Sequence, residues 1–309
     1  MSLVVVGTVA FDKISTPFGQ SEKIVGGAAS YISLSASQFY KDIKLVSVIG
    51  DDFPKDFLDT MAAQGVDLAG LQIKEGEKSF FWEGKYHYDL NTRDTLDTQL
   101  NVLADFVPAL PDSYRNCDFL MLGNLAPSVQ LSVLQQLEKR PKLVVLDTMN
   151  FWMDCALEEL KEVISQVDVI TINDEEARQL SGQYSLVKAA RIILDMGPKA
   201  IVIKKGENGA LLIDSENMFF APAMPLEEVM DPTGAGDTFA GGFIGYLAHS
   251  RDISFENMKR AVVLGSAMAS FSVERFGTER LIGLEESEID HRIQLFVDLV
   301  DFDILLVDE

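Results

Sequence analysis

The segment Asp231–Phe243, with the sequence DPTGAGDTFAGGF, constrains this chain more than any other. Pro232 fixes one φ angle and donates no backbone hydrogen bond. Gly234 and Gly236 allow the backbone to turn sharply and to approach a ligand closely. From Phe239 onward, apolar residues recur at helical spacing. A helix is therefore predicted to begin at these glycines.

The start of such a helix binds anions, because its first amides have no partner within the helix and its dipole adds positive potential. Asp237 lies beside these amides. A carboxylate would repel a phosphate, so Asp237 is predicted to accept a proton from an attacking hydroxyl. The alternative is a glycine-rich helix start in which Asp237 only complements the dipole.

This segment resembles the second signature, D-T/P-x-G-A-G-D, of the ribokinase-like (PfkB) family of carbohydrate and nucleoside kinases. The matching residues are Asp231, Pro232, Gly234, Ala235, Gly236 and Asp237. The resemblance implies that Asp237 is the catalytic base and that the amides of Gly234, Ala235 and Gly236 form an anion hole for the transferring phosphate. It also implies that ATP and Mg²⁺ are used.

Short apolar runs alternate with helical patterns along the chain, which predicts a three-layer α/β/α fold with a doubly wound, mostly parallel sheet. Ligands of such sheets bind at the carboxyl ends of the strands. Strands are predicted at Val4–Val6, Leu45–Ile49, Phe119–Leu122, Leu143–Leu146, Val169–Ile172, Ile201–Ile203 and Leu211–Ile213. Helices are predicted at Ala28–Phe39, Phe53–Gln64, Ser128–Leu137, Cys155–Ile164, Glu175–Leu180, Leu186–Met196, Gly236–Ala248, Phe255–Phe271 and Glu286–Val300.

Two stretches, residues 12–25 and 71–111, interrupt this alternation. We interpret both as strands of a small sheet inserted into a single kinase domain that spans residues 1–309. The family resemblance implies that this sheet is a lid over the substrate and a surface for a homodimer. A lid suits phosphoryl transfer, because water must be kept from the reacting phosphate.

Residues near the N-terminus are candidates for binding the substrate. Asp12 follows the first strand, where a carboxylate can accept hydrogen bonds from two neighbouring sugar hydroxyls; otherwise it is a surface turn residue. Gly26 and Gly27 open the next helix and resemble the first family signature, which implies that the substrate approaches their backbone. The family's usual Asn is replaced here by Tyr31, which is predicted either to stack on a sugar ring or base or to fill space.

Two further motifs are candidates for binding ATP. Asn173 and Glu176 resemble the N-x-x-E motif, which implies that Asn173 supports the phosphates and that Glu176 positions Mg²⁺ through water. The alternative is an acidic helix start. Lys204 resembles a residue that neutralises phosphate charge, and Gly206 and Gly209 resemble a turn that borders the adenosine. The same turn is predicted to join two strands as a hairpin.

Weaker candidates follow other strands or loops. Asn124, Asp147 and Asn150 are expected at the same edge of the sheet and within reach of a ligand. The loop Arg275–Gly277 resembles a region that holds a monovalent cation in some relatives, and Asp231 is expected to share K⁺ there.

The net charge of −22 disfavours DNA, RNA and anionic lipid surfaces as partners. No apolar run approaches the ~18–20 residues of a membrane span, and the N-terminus lacks a basic leader region, so a cytoplasmic protein is expected. Cys117 and Cys155 are predicted to pack against apolar residues. His87, His249 and His291 show no metal-ligand spacing and are predicted to be surface or packing residues.

The sequence contains no G-x-x-x-x-G-K-[ST], G-x-G-x-x-G or G-x-S-x-G motif, which disfavours a P-loop enzyme, a dinucleotide-binding protein and a hydrolase. It predicts an ATP-dependent kinase that phosphorylates a hydroxymethyl group of a small sugar-like substrate. A nucleoside is the alternative substrate, indicated by the aromatic residues of Phe80–Trp82, Tyr86, Tyr88 and Tyr31. A sugar sensor without activity is the alternative of another class.

Overall fold

The computed structural model describes residues 1–301. Its strands are β1 (Leu3–Val6), β2 (Ala10–Thr16), β3 (Gly19–Gln20), β4 (Ile24–Gly26), β5 (Ile43–Gly50), β6 (Val66–Lys74), β7 (Phe81–Tyr86), β8 (Arg93–Gln99), β9 (Phe119–Leu122), β10 (Leu143–Asp147), β11 (Val169–Asn173), β12 (Ala200–Lys204), β13 (Ala210–Asp214) and β14 (Met218–Ala221). Its α-helices are α1 (Ala28–Ala36), α2 (Lys55–Ala63), α3 (Pro127–Gln135), α4 (Asn150–Cys155), α5 (Leu157–Ile164), α6 (Asp174–Ser181), α7 (Leu186–Leu194), α8 (Ala235–Ser250), α9 (Phe255–Ser272) and α10 (Glu286–Val300).

A nine-stranded sheet runs in the order β14-β13-β12-β11-β10-β9-β1-β5-β6. Neighbours are parallel from β12 to β6, whereas β12, β13 and β14 are joined as antiparallel hairpins. The central strands, from β12 to β5, are almost entirely buried, because helices cover both faces of a parallel sheet. This confirms the predicted mostly parallel α/β sheet.

The two faces of the sheet belong to two separate apolar cores, as the alternation of side chains along β1 shows. Leu3 and Val5 point into a core with α1, α2, α8 and α9. Val4 and Val6 point into a core with α3, α5, α6 and α7. Successive side chains of a strand face opposite sides, so the sheet is the middle of the three predicted layers.

Glycines allow α8 to lie unusually close to its neighbours. A Cβ on Gly241 would lie within 2.8 Å of Ser35, and one on Gly245 within 2.7 Å of Ala36, both in α1. On the other side, a Cβ on Gly242 would lie 3.1 Å from Gly265 in α9. These glycines therefore allow close contact between helices.

A five-stranded sheet of β2, β3, β4, β7 and β8 forms a separate layer. It includes residues 12–25, as predicted, but only part of residues 71–111. Leu71–Lys74 belongs to β6 of the large sheet, because it continues the parallel pairing with β5. Val102, Phe106 and Leu110 pack in the core beneath α3 and α5. The lid therefore extends along this stretch from β7 to β8 only.

Other differences from the predicted elements are local. The helix expected over Cys155–Ile164 is split into α4 and α5 at Ala156, whose φ of −145° is not helical. Strand β14 was not predicted. Cys117 is buried as expected, whereas Cys155 is exposed, so the packing interpretation of Cys155 was wrong. Within residues 1–301, none of the helices has the length and apolar character needed to cross a membrane.

Candidate active site

The predicted site residues gather at the carboxyl edge of the large sheet. Asp147, Asn173 and Lys204 end the adjacent strands β10, β11 and β12, and Asn173 is the register partner of Lys204. The start of α8 lies against the same edge, because a Cβ on Gly236 would lie 3.0 Å from the Lys204 Nζ atom. Residues far apart in the sequence therefore form one cleft.

The start of α8 is formed as predicted. Gly234 is the N-terminal cap residue, with a φ of 73°, a left-handed conformation that disfavours other residues. The amide of Ala235 donates to the Pro232 carbonyl oxygen at 3.2 Å, so it is engaged in a turn. Among residues 1–301, no protein acceptor engages the amides of Gly234, Gly236 and Asp237. These three amides, rather than that of Ala235, are free to meet an anion.

Asp237 lies in the first turn of α8 and is half-buried. Burial, together with the negative charge of Asp147, raises the pKa of Asp237 to about 7, although Lys204 and Arg93 act in the opposite direction. A carboxyl group that titrates near neutral pH can accept a proton and later release it. The environment of Asp237 is therefore suited to a general base.

Lys204 is a largely buried, charged residue below the start of α8. Its Nζ atom lies 2.6 Å from Asp147 Oδ2, and the two side chains are only 15% and 6% exposed. Asp147 also accepts hydrogen bonds from the Thr171 hydroxyl at 2.9 Å and from the Thr148 amide at 2.8 Å. Burial alone would lower the pKa of Lys204, but the charges of Asp147 and Glu176 outweigh it and raise that pKa. The site therefore holds a permanent positive charge.

Asn173 and Glu176 form a reciprocal capping box at the start of α6. The backbone N–H of Asn173 donates to Glu176 Oε2 at 2.8 Å, and the backbone N–H of Glu176 donates to Asn173 Oδ1 at 2.8 Å. Burial raises the pKa of Glu176 to about 7, while the charge of Lys204 lowers it. The structural alternative, a capped helix start, is thus present, and the metal role of Glu176 stays a prediction.

The residues fit Mg²⁺ only as an ion held largely by phosphates and water. Within residues 1–301 there is no group of three Asp, Glu, His or Cys side chains that could hold a metal. Mg²⁺ typically keeps several waters and takes few protein ligands. Glu176, whose Oε1 atom receives no hydrogen bond from the described residues, is placed to contact such a water.

Asp12 lies in β2 and is 5% exposed. A Cβ on Gly26 would overlap its carboxylate, and the nearby Gly27 backbone amide acts to lower its pKa. A Cβ on Gly27 would lie 2.6 Å from the Thr8 carbonyl oxygen. The double glycine makes room for Asp12 and the Thr8 backbone, and the approach of the substrate to it stays a prediction. Burial, reinforced by the charge of Asp231, raises the pKa of Asp12 to about 7.

Tyr31 lies in the first turns of α1 and is 1% exposed. Its ring lies against Gly234, where a Cβ would overlap the ring carbons. Neither face of this ring is therefore open to stack on a sugar or a base. Of the two predicted roles, stacking is wrong for the ring as placed, and filling of space beneath Gly234 is what the structure shows.

Asp231 links the start of α8 to the loop Arg275–Gly277. It is fully buried, and its two carboxylate oxygens accept hydrogen bonds from the Thr233 amide at 2.8 Å and the Gly277 amide at 3.0 Å. The cation remains a prediction.

The three weaker candidates differ in their surroundings. Asn124 accepts a hydrogen bond from the Trp152 indole at 2.8 Å and contacts the Met149 sulfur, so its side chain holds α4 in place. Asn150 begins α4. Of the three, Asp147 alone is bound to another predicted site residue, Lys204.

Besides Tyr86, the lid contributes two residues that the sequence did not indicate, Asn91 and Arg93. The Thr233 hydroxyl donates to the Tyr86 hydroxyl at 3.2 Å, and a Cβ on Gly206 would lie 2.6 Å from Asn91 Oδ1. Arg93 is the cross-strand partner of Tyr86, so both side chains project from the same face of the lid. The hairpin of β7 and β8 therefore contacts both sides of the cleft. No local sequence pattern marks the tip of this hairpin as part of the site, so only the tertiary structure identifies it.

The turn between β12 and β13 forms the predicted hairpin, with φ of 53° at Gly206 and 80° at Gly209. An open cleft of about 440 Å³ borders this turn. Its lining includes Lys205, Asn208 and Phe220. Such a cleft is large enough for a nucleobase and ribose.

Comparison with known proteins agrees with this geometry. Residues 2–282 match the protein family that is described as pfkB family carbohydrate kinase. A cytidine kinase of Thermococcus kodakarensis is 31% identical over 90% of this chain and 98% of its own length. A ribokinase of Staphylococcus aureus is 31% identical over 84% of this chain and 86% of its own length.

A ribokinase II from E. coli, solved with ATP and Mg²⁺, superposes with a TM-score of 0.78 at 18% identity, over 95% of this chain and 99% of its own. ATP and Mg²⁺ are the two cofactors predicted from the sequence. The family match covers nearly all of residues 1–301. The chain belongs to the pfkB family of carbohydrate kinases.

Proposed function

We propose that this kinase transfers the γ-phosphoryl group of ATP to the hydroxymethyl group of a ribosyl compound, with a nucleoside as the preferred substrate. The observation that carries this proposal is the position of Asp237. Its carboxyl group lies in the first turn of α8, beside amides that no acceptor in residues 1–301 engages, and at the edge where Lys204 supplies a positive charge.

In the proposed reaction, the ionised Asp237 accepts the proton of the substrate hydroxyl. The hydroxyl oxygen forms a bond to the γ-phosphorus, and the bond from that phosphorus to the bridging oxygen breaks, which releases ADP. The amides at Gly234 and Gly236 donate to the oxygens of the transferring group, whose charge they stabilise. ATP, bound with Mg²⁺, supplies the phosphoryl group and partly neutralised phosphate oxygens.

The site needs more positive charge than Lys204 supplies if it is to bind ATP. Five carboxyl groups surround the cleft, those of Asp12, Asp147, Asp231, Asp237 and Glu176, against one buried lysine. ATP adds further negative charge, which such a site would repel. We infer that Mg²⁺ and Arg93 of the lid, whose charge already lowers the pKa of Asp237 and Glu176, balance it.

The choice of a nucleoside rests on the relatives. The cytidine kinase relative matches more of this chain, and more of its own length, than the ribokinase relative at the same identity. The sequence had favoured a free sugar, and the ribokinase keeps that as the second candidate. The lid aromatics give no support to either, since Tyr86 faces Thr233 and Tyr88 is 82% exposed.

Coupled ADP release against cytidine, uridine, adenosine, ribose and fructose, with Mg²⁺ and K⁺ present, tests the proposal. We expect the highest kcat/KM with a pyrimidine nucleoside. Turnover of ribose alone would favour the second candidate. Tight ATP binding with no turnover of any compound would contradict the proposal and favour a sensor.

The predicted homodimer is also a proposal. Strand β8 is an edge strand of the lid, and its Leu96 is 56% exposed. An edge with free backbone groups and an exposed apolar residue can pair with a second copy. Light scattering that gives the mass of one chain, 34.1 kDa, would refute it.

A further inference from the structure

Side-chain hydrogen bonds join the lid to the segment that leads into α8 at two points. The Thr16 hydroxyl, in β2, donates to the Met230 carbonyl oxygen at 3.1 Å. The Thr233 hydroxyl donates to the Tyr86 hydroxyl, at the end of β7, at 3.2 Å. Thr233 directly precedes Gly234, the cap residue of α8. The second hydrogen bond therefore ties the hairpin of β7 and β8 to the start of the helix that carries the proposed base.

Both partners of this second hydrogen bond are held in place. Tyr86 is 6% exposed, and burial raises the pKa of its hydroxyl to about 12. The hydroxyl is therefore neutral at physiological pH. Thr233 is fixed by its backbone N–H, which donates to Asp231 Oδ1 at 2.8 Å. Separating the two residues would leave buried hydroxyls without partners, which costs free energy.

The hairpin transmits the position of Tyr86 to Arg93. The two residues are cross-strand partners in β7 and β8, so their side chains project from the same face of the lid. That face meets Thr233. The tip between them is closed by Asp89, whose carboxylate accepts from the backbone N–H of Thr92 at 2.9 Å and from the hydroxyl of the same residue at 2.7 Å. Holding Tyr86 against the start of α8 therefore also holds Arg93 there.

The position of Arg93 matters to Asp237. Burial and the charge of Asp147 raise the pKa of Asp237, whereas Lys204 and Arg93 lower it. Asp12 is a further charged neighbour. Of the two positive groups, Lys204 ends a strand of the large sheet, whereas Arg93 belongs to the hairpin. Its distance from Asp237 therefore depends on where the hairpin lies.

We propose that Tyr86 is a positioning residue for phosphoryl transfer, whose hydrogen bond to Thr233 holds the hairpin of β7 and β8 against the start of α8 and so keeps Arg93 within range of Asp237. The guanidinium group favours the ionised form of the base and balances the charge of the cleft. Loss of the hydrogen bond releases the hairpin and withdraws that charge. This inference rests on the proposed function, because Arg93 affects the reaction in this way only if Asp237 is the base.

The test is the pKa of Asp237 in Tyr86→Phe, measured in two ways. The rising limb of kcat/KM against pH, with cytidine and ATP·Mg²⁺, reports this pKa during turnover. The ¹³C carboxyl resonance that is missing in Asp237→Asn reports it in the ligand-free protein. Because Tyr86 is neutral, the substitution removes no charge. A change in the pKa of Asp237 therefore reports a movement of Arg93.

We expect both measurements on Tyr86→Phe to move to higher pH, in the direction expected for Arg93→Gln and by no more than Arg93→Gln moves them. At pH 6 this shift should lower kcat/KM by ~2–10-fold, since a single hydrogen bond holds the hairpin no more strongly than that. The double variant of Tyr86→Phe with Arg93→Gln should shift no further than Arg93→Gln alone, because the charge that Tyr86 positions is already gone. Shifts that add would overturn the inference.

Thr233 offers the same test from the other side of the hydrogen bond. Thr233→Val should shift the pKa of Asp237 as Tyr86→Phe does, whereas Thr233→Ser keeps the hydroxyl and should leave that pKa in place. A shift in Thr233→Ser equal to that in Thr233→Val would contradict the inference.

Tyr114→Phe is the matched control for the loss of a buried tyrosine hydroxyl. The Tyr114 hydroxyl accepts from the Gly70 amide at 3.3 Å and donates to the Asp67 carbonyl oxygen at 3.0 Å. Tyr114 is fully buried in the opposite core, which α3, α5, α6 and α7 cover. Tyr114→Phe should lower the Tm and leave the pKa of Asp237 in place.

The outcomes separate this inference from the proposed function. If the wild type phosphorylates cytidine or another ribosyl compound and Tyr86→Phe leaves the rising limb in place, the inference is overturned and the function stands. If the wild type phosphorylates no ribosyl compound, the proposed function falls. The ¹³C titration of the ligand-free protein then still decides whether Tyr86 holds Arg93 near Asp237, and an unchanged pKa in Tyr86→Phe would overturn that as well.

Discussion

The two sides of the cleft meet at the start of α8 but satisfy their polar groups in opposite ways. On the donor side, Asn173 and Glu176 bind each other and Lys204 binds Asp147. On the acceptor side, formed by Asp12, Gly26, Gly27 and Tyr31, the Tyr31 hydroxyl has no hydrogen-bond partner among residues 1–301.

Polar groups that bind one another stabilise the folded chain, whereas buried groups that await a ligand destabilise it until the ligand binds. The donor side therefore serves both the fold and the binding of ATP. The acceptor side serves recognition at a cost in stability. Substitutions on the two sides should accordingly change stability in opposite directions.

The largest effect is expected where the two sides meet, at Asp237. Asp237→Asn removes the proton acceptor while keeping the size of the side chain. We expect kcat to fall by roughly 10²–10⁴, the usual contribution of a general base, with ATP affinity retained. Asp59→Asn, on the exposed surface of α2, is the control. Near wild-type kcat in Asp237→Asn would exclude the base assignment.

On the donor side, Lys204→Met should lower the free energy of unfolding. The substitution leaves Asp147 buried without its partner, which costs roughly 3–5 kcal/mol. Lys199→Met removes a lysine that is 79% exposed and pairs with Asp168, so it should cost only about 0–1 kcal/mol. Urea unfolding of both variants measures the difference.

The double variant Lys204→Met with Asp147→Asn should recover part of the lost stability, because no unpaired charge remains. Equal stability of Lys204→Met and Lys199→Met would mean that the donor side does not support the fold.

The dependence of activity on pH reports the charges around Asp237. Since its pKa is raised to about 7 and the base must be ionised, kcat/KM should rise with pH through this region. Arg93 lowers that pKa, so Arg93→Gln should move the rising limb to higher pH. Lys85→Gln, one residue from Tyr86 and thus on the opposite face of the lid, should leave it in place. A limb that does not move would show that Arg93 acts elsewhere.

On the acceptor side, Asp12→Asn should stabilise the ligand-free protein. The pKa of Asp12 rises from 3.8 to about 7 on folding, so the folded state disfavours its ionised form. That penalty is complete above pH 7 and vanishes below pH 4. We expect a gain in Tm of about 5 °C at pH 8 and a smaller gain at pH 5. A loss of Tm at pH 8 would show that Asp12 supports the fold rather than the substrate.

Local signals explain most of what the sequence predicted correctly. The glycines and Asp237 defined the start of α8 because a left-handed cap and a first-turn acid are local requirements. The same holds for the hairpin at Gly206 and for the helix start at Asn173. Alternating apolar runs defined the sheet, because burial on both faces imposes that pattern.

Predictions failed where contacts join distant segments. The predicted lid stretch, residues 71–111, was too long, because the end of β6 and the residues after β8 have the same mixed composition as the lid strands. The two roles predicted for Tyr31, stacking on a ligand and filling space, were left open, since no local feature shows that its ring lies beneath Gly234. Arg93 was not predicted as a site residue, because its position near Asp237 depends on how the hairpin of β7 and β8 packs across the cleft.

By itself, the sequence determined the kinase family, the helix that carries Asp237 and the order of the motifs, because each depends on residues that are neighbours along the chain. Tertiary structure alone decided which carboxyl groups share the cleft and, within residues 1–301, which amides and which hydroxyls remain unpaired. These properties depend on distances and burial, and both arise only when the sheet brings the ends of its strands together.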